Sequence, residues 1–290
     1  MKKIIGLFVV LLCASVMAAD LTVAVTLQPY ANIAQYIGGT RINVVAMVPP
    51  GADPHSYEPK PAVLKEFAKA DVYFSDGSGM DKAWLPRFMG VNKNVKVAFL
   101  SKNIDWILDR HDNDLDPHLW TSPKQAVTIA QNVTFQLCAM DTAGRSYYTR
   151  RLTQFINRMD VLEERLTTAV SKLPKNRRTF VVFHPSYGYF ARDYGLTQLS
   201  IEIDGKEPKP KDLATVIIEA KKRDVHLVFV QPQFSKRSAQ TLAKQLDAVV
   251  MPTDPLDYDF VKNINFMIDA MEGVVKKESK KNSNKPAQKK

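Results

Sequence analysis

Three of the five histidines in this 290-residue chain stand in loops stiffened by proline: His55 in Gly51-Ala52-Asp53-Pro54-His55-Ser56-Tyr57-Glu58-Pro59, His118 in Asp116-Pro117-His118-Leu119-Trp120, and His184 in Phe183-His184-Pro185. A carboxylate, Asp254, occupies a similar setting in Pro252-Thr253-Asp254-Pro255-Leu256. Neutral imidazoles with one carboxylate are borderline donors, suited to Zn²⁺ in a tetrahedral shell. Rigid loops also lose less entropy when their side chains coordinate. Any one of these histidines alone reads as a structural residue, so spacing by itself leaves a metal site and ordinary packing both open. Tyr57, Trp120, Tyr187 and Tyr189 neighbour the candidates and would either wall a site from water or serve as packing residues. His226 lies inside the apolar run 225–230 and is expected in the core. His111 sits among Asp109, Asp112, Asp114 and Asp116, where a solvated acidic loop competes with a weak metal-collecting one. There is no phosphate-cradling glycine loop, CxxC pair or nucleophile elbow.

The elements needed to carry such loops are legible. Short β-branched runs at 21–26, 42–48, 71–75 and 95–100 read as strands, followed later by a second series at 179–183, 197–201, 227–230 and 248–251. Helical stretches alternate with them. One opens at Pro61 and one at Pro123, each proline at a first helical position; others are expected at 186–194, 210–223, 235–246 and 258–275. Alternation of this kind predicts parallel sheets with helices on both faces. His55, His184 and Asp254 then fall just beyond strand carboxyl ends, where open α/β sheets bind ligands, and His118 precedes a helix. Between the two series, Tyr148, Leu152, Phe155, Met159, Leu162, Leu166 and Val170 recur at steps of three and four until Pro174. That pattern predicts one helix of about 40 Å. The expected class is α/β: two similar lobes, each a parallel β-sheet flanked by helices, joined by one long connecting helix with limited opening.

Charge and composition bound the function. The formal net charge is +10, but Lys2 and Lys3 supply two charges and 276–290 supplies six, leaving +2 for the body and no basic groove for nucleic acid. Lys2-Lys3, an apolar run over 4–16 and the small-residue exit at Ala18-Ala19 have the layout of a secretory signal peptide. Removing it discards Cys13 and leaves Cys138, which is expected to be a buried small hydrophobe because one thiol forms no intrachain disulfide. The expected organisation is a signal peptide at 1–19, an N-terminal lobe at 20–142, the connecting helix at 143–174, a C-terminal lobe at 175–275 and a disordered basic tail at 276–290. The tail is expected to be a solvated solubility element, with weak attraction to an anionic membrane surface as the alternative.

In this order the motifs resemble those of the metal-specific substrate-binding proteins of bacterial ABC importers, over nearly the whole mature chain. The resemblance is carried by Gly51 to Pro59, by Asp116-Pro117-His118-Leu119-Trp120-Thr121-Ser122-Pro123, and by Phe183-His184-Pro185-Ser186-Tyr187-Gly188-Tyr189-Phe190. Val230-Gln231-Pro232-Gln233-Phe234-Ser235 and Thr253-Asp254-Pro255-Leu256 complete it. It implies that His55, His118, His184 and Asp254 bind a divalent metal as transported cargo, and that an ABC permease with its cytoplasmic ATPase is the partner. Manganese importers of this kind generally place a carboxylate at the third position, so His184 aligns the chain with the zinc branch. Manganese stands lowest in the divalent affinity order and is the lesser expectation. Two departures stand out: 109–116 is short where many zinc members carry a histidine-rich loop, and the disulfide some of them have cannot form with Cys138 alone.

Three imidazoles with an open fourth position would describe a catalytic zinc centre, whereas Asp254 in that position would close the shell and describe a carrier. A hydrolase also needs a general base, and Glu58, the nearest acid, belongs to no catalytic motif. The expectation is therefore an exported, periplasmic, monomeric solute-binding protein, not an enzyme, that captures Zn²⁺ between two lobes and delivers it to an ABC-type importer. The alternatives are a manganese importer component, a secreted zinc hydrolase and a surface adhesion or interaction protein.

Overall fold

A computed structural model describes residues 21–108, 115–202, 208–232 and 236–283, without the side chains of 80, 236–239 and 276–283. The signal-peptide reading and the His111 reading both lie outside the described residues. The first half runs β1 (Leu21–Val25), α1 (Gln28–Gly38), β2 (Ile42–Ala46), α2 (Pro61–Phe67), β3 (Val72–Ser75), α3 (Gly79–Val91), β4 (Lys96–Phe99) and α4 (Pro123–Met140). After α5 (Arg145–Lys172), the second half runs β5 (Thr179–Val182), α6 (Gly188–Tyr194), β6 (Thr197–Ser200), α7 (Pro210–Lys222), β7 (Leu227–Val230), α8 (Lys236–Leu246), β8 (Val249–Pro252) and α9 (Phe260–Ser283).

Each half forms a four-stranded, all-parallel sheet, ordered β2-β1-β3-β4 in the first and β6-β5-β7-β8 in the second. The repeated order sends the carboxyl ends of equivalent strands to equivalent places. Every residue of β3, β5 and β7 is buried, as expected for strands covered by helices on both faces. Strand alternation divides their side chains between cores. Phe74, Phe180, Val182 and Phe229 enter one central core with Phe155, Met159, Leu162 and Leu166 of α5. Tyr73 packs instead with Phe67 and Phe88 on the far face of the first sheet, and Val181 and Val228 with Ile201 and Leu242 on the far face of the second.

The connector α5 is therefore a structural wall as well as a link. Its 28 residues pack against α1 and α4 on one side of the molecule and against α6 and α9 on the other. Its start is pinned by Asp141, whose carboxylate takes hydrogen bonds from Arg41, Tyr148 and the Gly144 amide. Proline opens α1, α2, α4 and α7 within the first turn, where its missing N–H removes no helical bond. Gly195, at φ 67°, stops α6 in a left-handed conformation before β6 begins.

Three expectations need correction. The final helix runs to Ser283, well into the stretch read as a disordered tail from Lys276. His226 precedes β7 instead of lying within the core; it is half-buried, with Nε2 at 2.9 Å from Asp224 Oδ1. Cys138 is also only half-buried, packed on the edge of the central core.

Candidate metal centre

Loops at strand carboxyl ends bring His55 and His184 together, and the turn before α4 brings His118 to them. One ring nitrogen from each of the three lies within 4.8 Å of the others. His118 is buried, His184 half-buried and His55 exposed. The Nε2 atoms of His118 and His184 are 3.3 Å apart. Two nitrogens on a Zn²⁺ ion at 2.0–2.1 Å in tetrahedral geometry are separated by about 3.4 Å, so this pair already spans one tetrahedral edge.

The opposite nitrogens explain why Nε2 faces inward. His118 Nδ1 lies 2.7 Å from Asp116 Oδ1, and His184 Nδ1 lies 2.8 Å from Glu202 Oε1. Both carboxylates are buried at 8% exposure, so each ring bond is shielded from water. Asp116 Oδ1 also accepts the His118 backbone amide at 2.9 Å. Gln231, fully buried, brackets the His184 peptide: its Oε1 accepts from His184 N at 2.9 Å and its Nε2 donates to His184 O at 2.7 Å. His55 is held within its own loop, where Asp53 accepts from His55 N and from Ser56 Oγ.

The cavity at the histidines is about 40 Å³ and is walled by Leu27, Pro54, Pro117, Trp120, Pro255 and Leu256. A water molecule's share of liquid volume is about 30 Å³, so the space suits a single ion. A much larger open groove of about 860 Å³ lies beside Tyr36, Tyr147, Arg151 and Tyr258, and none of the histidines lines it. Trp120 and Tyr187 are fully buried here as walls and ties. Trp120 Nε1 donates to Pro255 O at 2.6 Å, joining the His118 turn to the loop after β8. Burial holds the Tyr187 phenol well above its ordinary value, so it stays neutral, bonded to Thr253 and accepting from Asn263 Nδ2.

The fourth expected ligand is not drawn into this group. Asp254 Oδ1 accepts the Leu256 amide at 3.0 Å, and its own amide donates to Asn263 Oδ1 at 2.9 Å. Its residue lines a neighbouring cavity with Val230, Thr253, Asp257, Asn263 and Phe266, while Pro255 and Leu256 line the histidine cavity. The loop is where the sequence placed it, with the carboxylate folded back on its own backbone. Glu202 was not singled out from sequence, although it follows β6 and obeys the same strand-end rule that located the other loops.

The two halves also meet through α6, the helix after His184. Tyr189 OH donates to Asp116 O at 2.9 Å and accepts from Ile107 N at 3.1 Å. Asp193 Oδ2 accepts from Ser122 Oγ and Gln125 Nε2 at 2.6 and 2.7 Å.

This architecture has close counterparts. The pattern of the family described as ZnuA, zinc-uptake complex component A, periplasmic, matches residues 23–274. A crystal structure of ZnuA aligns with a TM-score of 0.81 at 32% identity, covering 89% of this chain and 98% of that one. A zinc-bound deletion mutant of ZnuA aligns with a TM-score of 0.78, also at 32% identity, covering 92% and 100%. The manganese-binding lipoprotein MntA of Halalkalibacterium halodurans is 27% identical over 258 residues, 84% of this chain and 86% of its own length. The manganese ABC transporter substrate-binding lipoprotein PsaA of Streptococcus pneumoniae is 27% identical over 267 residues, with the same two shares. With three convergent imidazoles in an ion-sized cavity between two such lobes, the chain belongs to this zinc-uptake component A family, as a metal-binding, substrate-binding component of an ABC transporter and not an enzyme.

Proposed function

We propose that the protein captures Zn²⁺ with His55, His118 and His184 in the periplasm and passes it, as a monomer, to a membrane permease driven by a cytoplasmic ATPase. The observation that carries this reading is the pair of Nε2 atoms 3.3 Å apart, each with its Nδ1 turned to a carboxylate. With the ring protons on Nδ1, two lone pairs face each other across a gap that a cation would relieve. A three-imidazole set favours zinc over manganese, which prefers oxygen donors and binds most weakly in the divalent series. Asp254 completes the shell by turning from the Leu256 amide toward the ion; it is the one oxygen donor in the proposed set. The cavity, walled mainly by apolar side chains, supports a carrier over a hydrolase, since the carboxylate in its lining, Asp53, already accepts from His55 N and Ser56 Oγ instead of standing ready as a general base.

Manganese is the second reading, favoured by the names of the manganese-binding relatives. Elemental analysis of protein purified without added metal, followed by direct competition of zinc against manganese, separates the two. Zinc retained and undisplaced by excess manganese supports the proposal; manganese recovered, and zinc displaced by it, overturns the metal assignment. His118→Ala is expected to weaken zinc binding by roughly 100-fold or more, the share of one ligand in a structural-type site. Asp254→Asn is expected to weaken it less and to leave the three nitrogens bound. An Asp254→Asn protein with unchanged zinc affinity would remove Asp254 from the ligand set.

A further inference from the structure

We propose that Asp116 and Glu202 are positioning residues that fix His118 and His184 in the Nδ1–H tautomer and so hold two nitrogens preassembled for the metal. The proposal rests on the metal-binding reading above and adds to it the residues that aim the ligands. Each histidine has its own buried carboxylate, one from each half of the chain. Asp116 precedes His118 by two residues; Glu202 arrives from the end of β6.

The geometry is selective. A carboxylate accepts and does not donate, so a ring nitrogen 2.7 or 2.8 Å away carries the proton. The other nitrogen is then an acceptor, as a metal ligand must be. Both rings are anchored at a second point: His118 through its amide on the same Asp116 oxygen, His184 through the two bonds of Gln231 to its peptide. Rotation about the side-chain torsions that would swing Nε2 away breaks a shielded, charge-assisted bond in each case. His55 is held by Asp53 within its own loop, and its ring meets that of His184 edge-on with centroids 5.0 Å apart.

Asp116 also registers the two halves against each other. A Cβ placed on Gly188, the first residue of α6, would come within 2.5 Å of Asp116 Oδ2. The same carboxylate that orients His118 is thus fitted against the helix that follows His184, and Tyr189 of that helix bonds the Asp116 carbonyl.

The test uses the metal-free mature protein first. Long-range ¹⁵N–¹H correlation spectra of the imidazoles are expected to show Nδ1–H at His118 and His184 in the wild type, and a mixture of tautomers at His184 in Glu202→Gln and at His118 in Asp116→Asn. Each substitution is then expected to lower zinc affinity 10–100-fold, and to shift the ligand-field spectrum of the Co²⁺-loaded protein. Glu202→Asp, which keeps the charge on a shorter stem, is expected to retain the tautomer and recover part of the affinity. Nε2–H at either histidine in the wild type, or wild-type zinc affinity in both variants, overturns the proposal. A wild type that shows the expected tautomers but binds neither zinc nor manganese would instead overturn the functional reading, since the tautomer measurement needs no metal.

Discussion

Gly188→Ala is the sharpest perturbation available, because the residue touches no metal ligand and sits in the opposite half of the chain from the histidine it should disturb. The added Cβ would stand 2.5 Å from Asp116 Oδ2. Ordinary carbon contacts lie at about 3.5 Å or beyond, so the carboxylate must move by about 1 Å. A shift of that size at Oδ2 is expected to drag Oδ1 with it and to break or lengthen the 2.7 Å bond to His118 Nδ1. Losing one buried charge-assisted hydrogen bond is worth about 1.5–3 kcal/mol, or roughly 10–150-fold in zinc affinity if the whole loss appears in binding. Glycine is about 1 kcal/mol worse than alanine in a helix interior; Gly188 opens α6, so part of that gain offsets the stability cost of displacing the carboxylate. The assay is therefore paired: zinc competition against a chelator of known strength, and thermal unfolding of the metal-free protein. The expected outcome is an affinity drop of at least tenfold with a melting temperature within a few degrees of wild type. Unchanged affinity would mean that the carboxylate relocates without disturbing the ring, and the coupling between α6 and His118 would be refuted.

Other consequences can be checked with the same material. Trp120→Phe removes the donor to Pro255 O and is expected to destabilise by about 1 kcal/mol while raising the zinc dissociation rate; equal dissociation rates in stopped-flow chelation would argue against this tie. Asp141 is held below its ordinary value: burial alone would raise it, but the hydrogen bonds from Tyr148, Arg41 and Gly144 outweigh that. Its stabilisation is therefore complete above the unfolded value of ~3.9 and is lost as pH falls through the lower folded value. Asp141→Asn should accordingly be less stable than wild type at neutral pH, with the difference shrinking in acid, as read by urea melts between pH 7 and 3. His226→Ala, which alters a half-buried pair with Asp224, should leave zinc affinity unchanged and cost little stability. Saturating zinc should raise the melting temperature, with about 2.7 kcal/mol added at 100 times Kd, and a chelator should reverse it.

How far the sequence reaches depends on whether a feature lies in periodicity or in orientation. The strands are legible because β3, β5 and β7 are short runs rich in β-branched and aromatic residues, buried at every position, and α5 because Phe155, Met159, Leu162 and Leu166 keep one buried stripe. No helix was assigned at α1 or α3. In α1, residues such as Pro29, Tyr30, Ala31, Ile33, Ala34 and Ile37 are all buried, which blurs the amphipathic period. In α3, Gly79, Pro86 and Gly90 read as breakers, yet a Ser78 cap that accepts the Asp81 amide starts the helix and Pro86 is carried inside it. The loops bearing His55, His184 and Asp254 followed from the strand-end rule. The direction of the Asp254 carboxylate did not, since a turn bond to Leu256 N has the same sequence signature as a free ligand. Glu202 stays invisible to motif reading because it is joined to His184 only by the adjacency of β5 and β6.

The contacts of α6 bear on how the ion leaves. Release by parting of the two lobes would break Tyr189 from Asp116 and Ile107, Asp193 from Ser122 and Gln125, and the central core shared through α5. His118 and His184 would also be pulled out of register, although both are braced on opposite sides of that interface. The exposed His55 loop is tied through the Arg87–Glu58 ion pair, the Arg87 bond to Pro59 O and the Tyr57–Trp84 and His55–His184 ring contacts, and an exposed ion pair contributes about 0–1 kcal/mol. The loop should therefore open first. With Cys138 replaced by serine, spin labels attached through Gln131→Cys on α4 and Lys221→Cys on α7 should report the same separation with and without zinc. A pair attached through Ser56→Cys and Lys221→Cys should widen or broaden when zinc is removed. A lengthening of several ångströms between the first pair, with a Ser56→Cys and Gln131→Cys pair unchanged, would show that the lobes separate as bodies and that the α6 interface is not a fixed joint.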